Sequence, residues 1–104
     1  MAKEIILYNL APHVTDEQYE HYLDTEKGPL LDSLESVKKF ELVKISGAVS
    51  GKIPYKYAGI MHLTSLDDFY KKDAPSKKFQ SFQTKWKTMV SDFHILLGEE
   101  IYPK

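Results

Sequence analysis

The stretch Lys3-Glu-Ile-Ile-Leu-Tyr-Asn-Leu10, followed by Pro12-His13-Val14-Thr15 and then Asp16-Glu-Gln-Tyr-Glu-His-Tyr-Leu23, decides the fold, because its pattern changes partway along. Residues 3–10 are a compact run of apolar and β-forming residues and predict a first strand. Pro12 and His13 punctuate it. Thr15 and Gln18 have the spacing of a capping box, and Val14 with Tyr19 that of the hydrophobic staple that accompanies one. A helix therefore starts near Asp16, with acidic residues in the first turn, where the helix dipole favours them. Tyr19, Tyr22 and Leu23 form its inner stripe at i, i+3 and i+4. Gly28-Pro29 is expected to interrupt it, leaving Leu30, Leu31 and Leu34 to a second short amphipathic piece.

Working outward, Val37 to Ile45 predicts a second strand, and residues 46–54, with two glycines and a proline, a loose hairpin connection. Tyr55 to Leu63 is the third strand. Ser65 with Asp68 starts a second helix carrying Leu66, Phe69 and Tyr70 on one face, and Ala74-Pro75-Ser76 breaks it. A further helical segment presents Phe79, Phe82 and Trp86, and Met89 to Leu97 closes the set as a fourth strand. The order is β-α-β-β-α-β, an α+β, ferredoxin-like arrangement with an antiparallel sheet, expected to occupy residues 1–104 as one domain.

Composition narrows the function classes. A chain of 104 residues has room for one core and buries a modest share of its surface. With no cysteine, neither a disulfide framework nor a thiolate nucleophile is available. The net charge of -1 excludes the electrostatic footprint of a nucleic-acid or anionic-membrane binder. All 14 basic residues are lysine, so the rigid guanidinium fork that grips phosphates is missing and no phosphoryl site is expected. Apolar runs such as Ile5-Ile6-Leu7 are too short to cross a bilayer, and the N-terminus lacks a secretory-signal pattern, so a cytoplasmic protein is expected.

The strands carry too much apolar surface for a sheet with one wet face. Strand 1 points Ile6, Tyr8 and Leu10 one way and Ile5 and Leu7 the other. Strand 3 sets Tyr55, Tyr57, Met61 and Leu63 against Ala58, Ile60 and His62, and strand 4 sets Phe93, Ile95 and Leu97 against His94 and Leu96. Two helices cover one face; a second copy of the chain is the expected cover for the other, which makes the protein a homodimer.

The segment Thr15-Asp-Glu-Gln-Tyr-Glu-His-Tyr-Leu-Asp-Thr-Glu-Lys-Gly-Pro-Leu-Leu31 resembles the first-helix motif of the EthD-like dimeric α+β barrel proteins. That motif runs from a threonine through acidic residues and two aromatics to His-Gly/Ala-Pro-Leu. In length and in its aromatic C-terminal half the chain is similar to the small RedY/HapK-like proteins of prodiginine pigment biosynthesis. The resemblance implies paired sheets closing into a barrel, a pocket between sheet and helices, and an apolar, often aromatic small-molecule ligand handled without a metal or organic cofactor. Where the motif has histidine before Gly-Pro, this chain has Lys27, and the histidine's acid–base role does not carry over.

Histidine exchanges protons near neutrality, which makes His62 and His94, each flanked by apolar residues on a strand, the candidate catalytic groups. With Tyr8 they would form two imidazoles and a phenol converging on one cavity, if all three share a face; each histidine reads equally as a core residue satisfied by one hydrogen bond. Asn9 would orient a carbonyl, His13 would stand near a pocket mouth, and Tyr22 and Phe69 complete the substrate-binding candidates. His21 falls opposite the helix's apolar stripe and is expected in solvent. No helical His-x-x-x-His or Glu-x-x-His spacing, Gly-x-Ser-x-Gly elbow or phosphate-binding glycine loop is present, and no metal is expected. Two functions remain open: a cofactor-independent enzyme moving a proton on an apolar aromatic metabolite in a condensation or cyclisation, and a non-catalytic carrier or accessory protein for such a molecule.

Overall fold

The computed structural model describes residues 1–103. Strand β1 (Ala2–Leu10) leads into helix α1 (Asp16–Tyr22), which passes through a π-helical turn (Leu23–Lys27) directly into α2 (Gly28–Asp32). β2 (Val37–Lys44) and β3 (Tyr57–Leu63) follow, then α3 (Leu66–Asp68), a second π-helical turn (Phe69–Asp73), α4 (Lys77–Met89) and β4 (Val90–Glu99). The sheet is antiparallel throughout, in the order β2-β3-β1-β4. This is the ferredoxin-like α+β order expected.

Local signals act as anticipated at the helix starts. Thr15 and Gln18 form the reciprocal capping box, and Ser65 and Ser76 cap α3 and α4 through their hydroxyls. Two expectations are corrected. Met89 belongs to α4 rather than to the last strand. Gly28-Pro29 does not break the first helix. Proline lacks the N–H for the next helical bond and crowds the preceding turn. Here that turn has already widened: the Gly28 N–H bonds five residues back to Leu23, and the helix continues past Pro29. A Cβ on Gly28 would lie 3.0 Å from the Leu23 carbonyl oxygen, a tight contact that glycine avoids.

Alternation along β1 and β3 divides the sheet. Ala2, Glu4, Ile6 and Tyr8 of β1, with Tyr57, Met61 and Leu63 of β3, face the helices and join Tyr19, Leu31, Phe69, Phe79 and Trp86 in the core. The opposite face carries Ile5, Leu7, Ala58 and Ile60, half-buried in the single chain, beside exposed Val43 and Leu96. It is an apolar surface with no helix over it.

One irregularity bears on the site. Between the pairs Leu7–His94 and Asn9–Ser91, Tyr8 stands against two residues, Asp92 and Phe93. Asp92 sits at φ 51°, a left-handed conformation that aspartate tolerates better than most residues. This bulge lets Phe93 meet Trp86 edge-on at 5.4 Å between ring centroids.

Candidate functional site

The site gathers where β1, α1, the first π turn and α4 meet. The extra residue accommodated by the π turn gives Lys27 the angular place residue 26 would hold in a regular helix. That place is seven residues on from Tyr19, about 20° from its direction at 3.6 residues per turn. Lys27 therefore points inward, 2% exposed, rather than into solvent.

Its Nζ lies 3.1 Å from the Tyr8 hydroxyl oxygen and 2.9 Å from that of Tyr19. The two hydroxyls are 2.6 Å apart, and the Trp86 indole N–H donates to the Tyr19 oxygen at 3.0 Å. The rings of Tyr8, Phe40, Trp86 and Tyr19 stand 5.1 to 5.5 Å from Nζ, an aromatic cage. Among the described residues Lys27 makes no ion pair. Burial without a compensating carboxylate penalises the ammonium and draws its pKa from 10.5 down to about 7. Burial likewise pushes Tyr19 up to about 12 and Tyr8 further, so both phenols keep their protons.

Counting donors and acceptors agrees. With an ammonium, Trp86 and Lys27 fill both lone pairs of Tyr19, Tyr19 and Lys27 fill both of Tyr8, and the Tyr8 proton has no acceptor among the four groups. With a neutral amine, Tyr8 O–H donates to Nζ, Nζ–H to Tyr19 and Tyr19 O–H to Tyr8. The ring closes, each member polarising the next.

Lys27 also lines a cavity of about 30 Å³, room for a water molecule or a single small functional group. Its walls include Ile6, Leu31, Met61 and Trp86, and its second titratable group is Glu4. Glu4 is 4% exposed; burial raises its pKa, opposed by a 2.8 Å hydrogen bond from the Tyr70 hydroxyl. Glu4, Phe79, Gln83 and Ile95 also line a cleft of about 260 Å³ running along α4 to Tyr70. An amine and a carboxyl thus share one small apolar chamber with a wider approach.

Of the sequence candidates, Tyr8 lies at the centre of this cluster. The two histidines do not join it, which corrects the expected convergence. His62 and His94 flank β1 on the opposite face of the sheet, paired with Lys3 and Leu7. Four residues along and two strands across, they stand roughly 16 Å apart. His62 Nε2 contacts the Glu41 carboxylate at 2.5 Å, and His94 is exposed, edge-on to Tyr55.

Asn9 is committed to backbone: it donates to the Pro54 carbonyl and accepts from the Lys56 N–H, which fastens β1 to the loop before β3. His13 is exposed in the turn before α1, and His21 is exposed on it. Tyr22 is buried with its hydroxyl unpartnered and faces a separate groove beside the Glu26–Lys85 ion pair. Phe69 is core and lines the outer cleft. Lys27, Glu4 and Trp86 were not singled out by the sequence as site residues. A proline following a lysine and a glycine inside a helical pattern was the one available signal for the π turn.

The fold and this chamber define a small ferredoxin-like α+β protein with its titratable site between sheet and helices. Residues 2–101 match the family described as REDY-like protein HapK, and the chain belongs to that family. No curated protein matches it. Among solved structures it is similar to HapK from Hahella chejuensis, at 19% identity and TM-score 0.81, covering 100% of this chain and 96% of that one. An EthD family protein from Bacillus halodurans aligns at 11% identity and TM-score 0.73, over 97% and 100%. A protein from Thermobifida fusca described as dimeric and ferredoxin-like aligns at 18% identity and TM-score 0.74, over 95% and 90%. These likenesses establish the EthD-like and HapK-like fold read from the helix motif. Among the described residues no helix is long and apolar enough to cross a membrane.

Proposed function

We propose that this protein is a small cofactor-independent enzyme that moves a proton on an apolar aromatic metabolite, in a condensation or cyclisation step of prodiginine-type pigment synthesis, and that it works as a homodimer. The observation that carries the reading is Lys27: a buried amine, without a counter-ion among the described residues, on the wall of a small apolar chamber. A base whose pKa lies near the working pH is available unprotonated and still accepts a proton with useful driving force. Tyr8 and Tyr19 hold the amine and stabilise the ammonium that forms. Membership of the HapK family supports the pigment setting, and the apolar outer sheet face, with a relative described as dimeric, supports the homodimer. The cavity of about 30 Å³ that Lys27 lines has room for one small reacting group.

The test is deuterium exchange at the α-carbon of acetophenone, an aromatic ketone probe, followed by proton NMR in deuterated water. The protein is expected to accelerate exchange with a rate that rises through about pH 7, and Lys27→Met to lower it about a hundredfold. Exchange as fast in Lys27→Met as in the parent would remove Lys27 from the mechanism.

A further inference from the structure

The chamber holds a group that proton abstraction by Lys27 leaves unused. Glu4 is the second ionisable side chain on its wall, buried, with Oε2 taken by the Tyr70 hydroxyl and Oε1 free of any protein hydrogen bond among the described residues. A carboxyl in such a place retains its proton more readily than one in water and can donate it. Lys27 lines the same cavity, and its hydrogen-bond ring closes when the nitrogen keeps a lone pair that accepts from the Tyr8 hydroxyl. A primary amine that burial disfavours as a cation and a carboxyl that burial disfavours as an anion, both on the wall of a space the size of one small group, suit attack on a carbonyl and expulsion of its oxygen.

We propose that Lys27 forms an imine with aromatic aldehydes, Glu4 supplying the proton that releases water. This deepens the preceding reading and rests on its placement of the substrate in the chamber beside Lys27. The Nζ lone pair gives up its hydrogen bond from the Tyr8 hydroxyl and forms a bond to the aldehyde carbon while the carbonyl π electrons move to oxygen; one proton passes from nitrogen to that oxygen, giving a carbinolamine. Glu4 protonates the hydroxyl, the carbon–oxygen bond breaks, and water leaves. The resulting iminium returns its N–H proton to the Glu4 carboxylate, which restores the acid. Aldehyde plus amine thus becomes imine plus water, with no oxidant or reductant. The chamber of about 30 Å³ accepts a formyl group, and then the released water, while the ring of the aldehyde occupies the adjoining cleft of about 260 Å³.

The experiment uses the whole protein with benzaldehyde and 2-naphthaldehyde, each with sodium cyanoborohydride at neutral pH, read by intact mass and peptide mapping. Binding is followed in parallel through quenching of Trp86, the chain's single tryptophan. The expected result is an adduct heavier by the aldehyde less one oxygen atom and mapped to Lys27, with the N-terminal amine, the other amine reactive at neutral pH, blocked beforehand by acetylation. Solvated lysines, with pKa near 10.4, hold roughly a thousandfold less free amine at neutral pH and react far more slowly. Lys27→Arg, which keeps a cation without a nucleophile, is expected to abolish the adduct. Glu4→Gln is expected to slow trapping at least tenfold at saturating aldehyde; trapping as fast as in the parent would remove Glu4 as the proton donor. Quenching without an adduct at Lys27 would overturn the imine and leave the proton-transfer reading standing. An adduct at Lys27 without acetophenone exchange would do the reverse. Absence of quenching by both aldehydes would overturn the two together.

Discussion

Replacing Lys27 with methionine should change how stability depends on pH, by an amount that follows from its burial. In the folded chain this amine titrates near 7, and in the unfolded chain near its ordinary 10.5. Between those values the unfolded state binds the extra proton, so stability rises with pH across the window and is independent of this group below it. From pH 7 to pH 9 the unfolded chain keeps almost a full proton while the folded chain goes from half-occupied to nearly empty. Integrating that difference at 1.36 kcal/mol per pH unit gives about 2 kcal/mol. Methionine has no proton to lose and a similar length, and the remaining titrating groups are common to both proteins. Urea unfolding followed by Trp86 fluorescence at the two pH values should therefore show the parent gaining about 2 kcal/mol relative to Lys27→Met. Parallel stabilities for the two proteins would mean that Lys27 titrates alike folded and unfolded, and would refute a desolvated amine at this site.

Gly28→Ala tests the π turn. An alanine replacing glycine inside a helix ordinarily adds up to about 1 kcal/mol of stability, whereas here the new Cβ meets the Leu23 carbonyl oxygen at 3.0 Å, so a loss of about 1–3 kcal/mol is expected in urea unfolding. Ile60→Asp tests the outer sheet face, where Ile60 is half-buried on β3. The parent should elute with light-scattering mass at twice 12.0 kDa and the variant at 12.0 kDa; a parent of 12.0 kDa at micromolar concentration would remove the homodimer.

Much of the architecture was legible in local pattern. The capping box at Thr15, the stripe Tyr19–Tyr22 and the aromatic face Phe79–Phe82–Trp86 are short-range signals, and each does in the structure what its spacing foretells. The two-sided apolar character of β1 and β3 was equally visible, because a strand's side chains must alternate whatever packs on them. The site was less legible. Alternation alone put Tyr8 with Ile6 and Leu10 on one side of β1 without saying which side the helices cover; the register does the rest, since paired neighbours point to the same side and Tyr8 pairs with Tyr57, five residues from His62.

Sequence by itself determined the element order, the helix starts and which residues of each strand share a side, because these depend on contacts a few residues apart. Tertiary structure alone decided that Lys27, rather than a histidine, is the buried base beside Tyr8. Its inward aim needs the π turn before Pro29, its lowered pKa needs burial among rings from β1, β2, α1 and α4, and its place on one cavity wall with Glu4 needs α2 and α4 packed on the sheet. The ionisation of a side chain is set by how much water the rest of the molecule takes away from it, and that quantity exists only once distant segments have met.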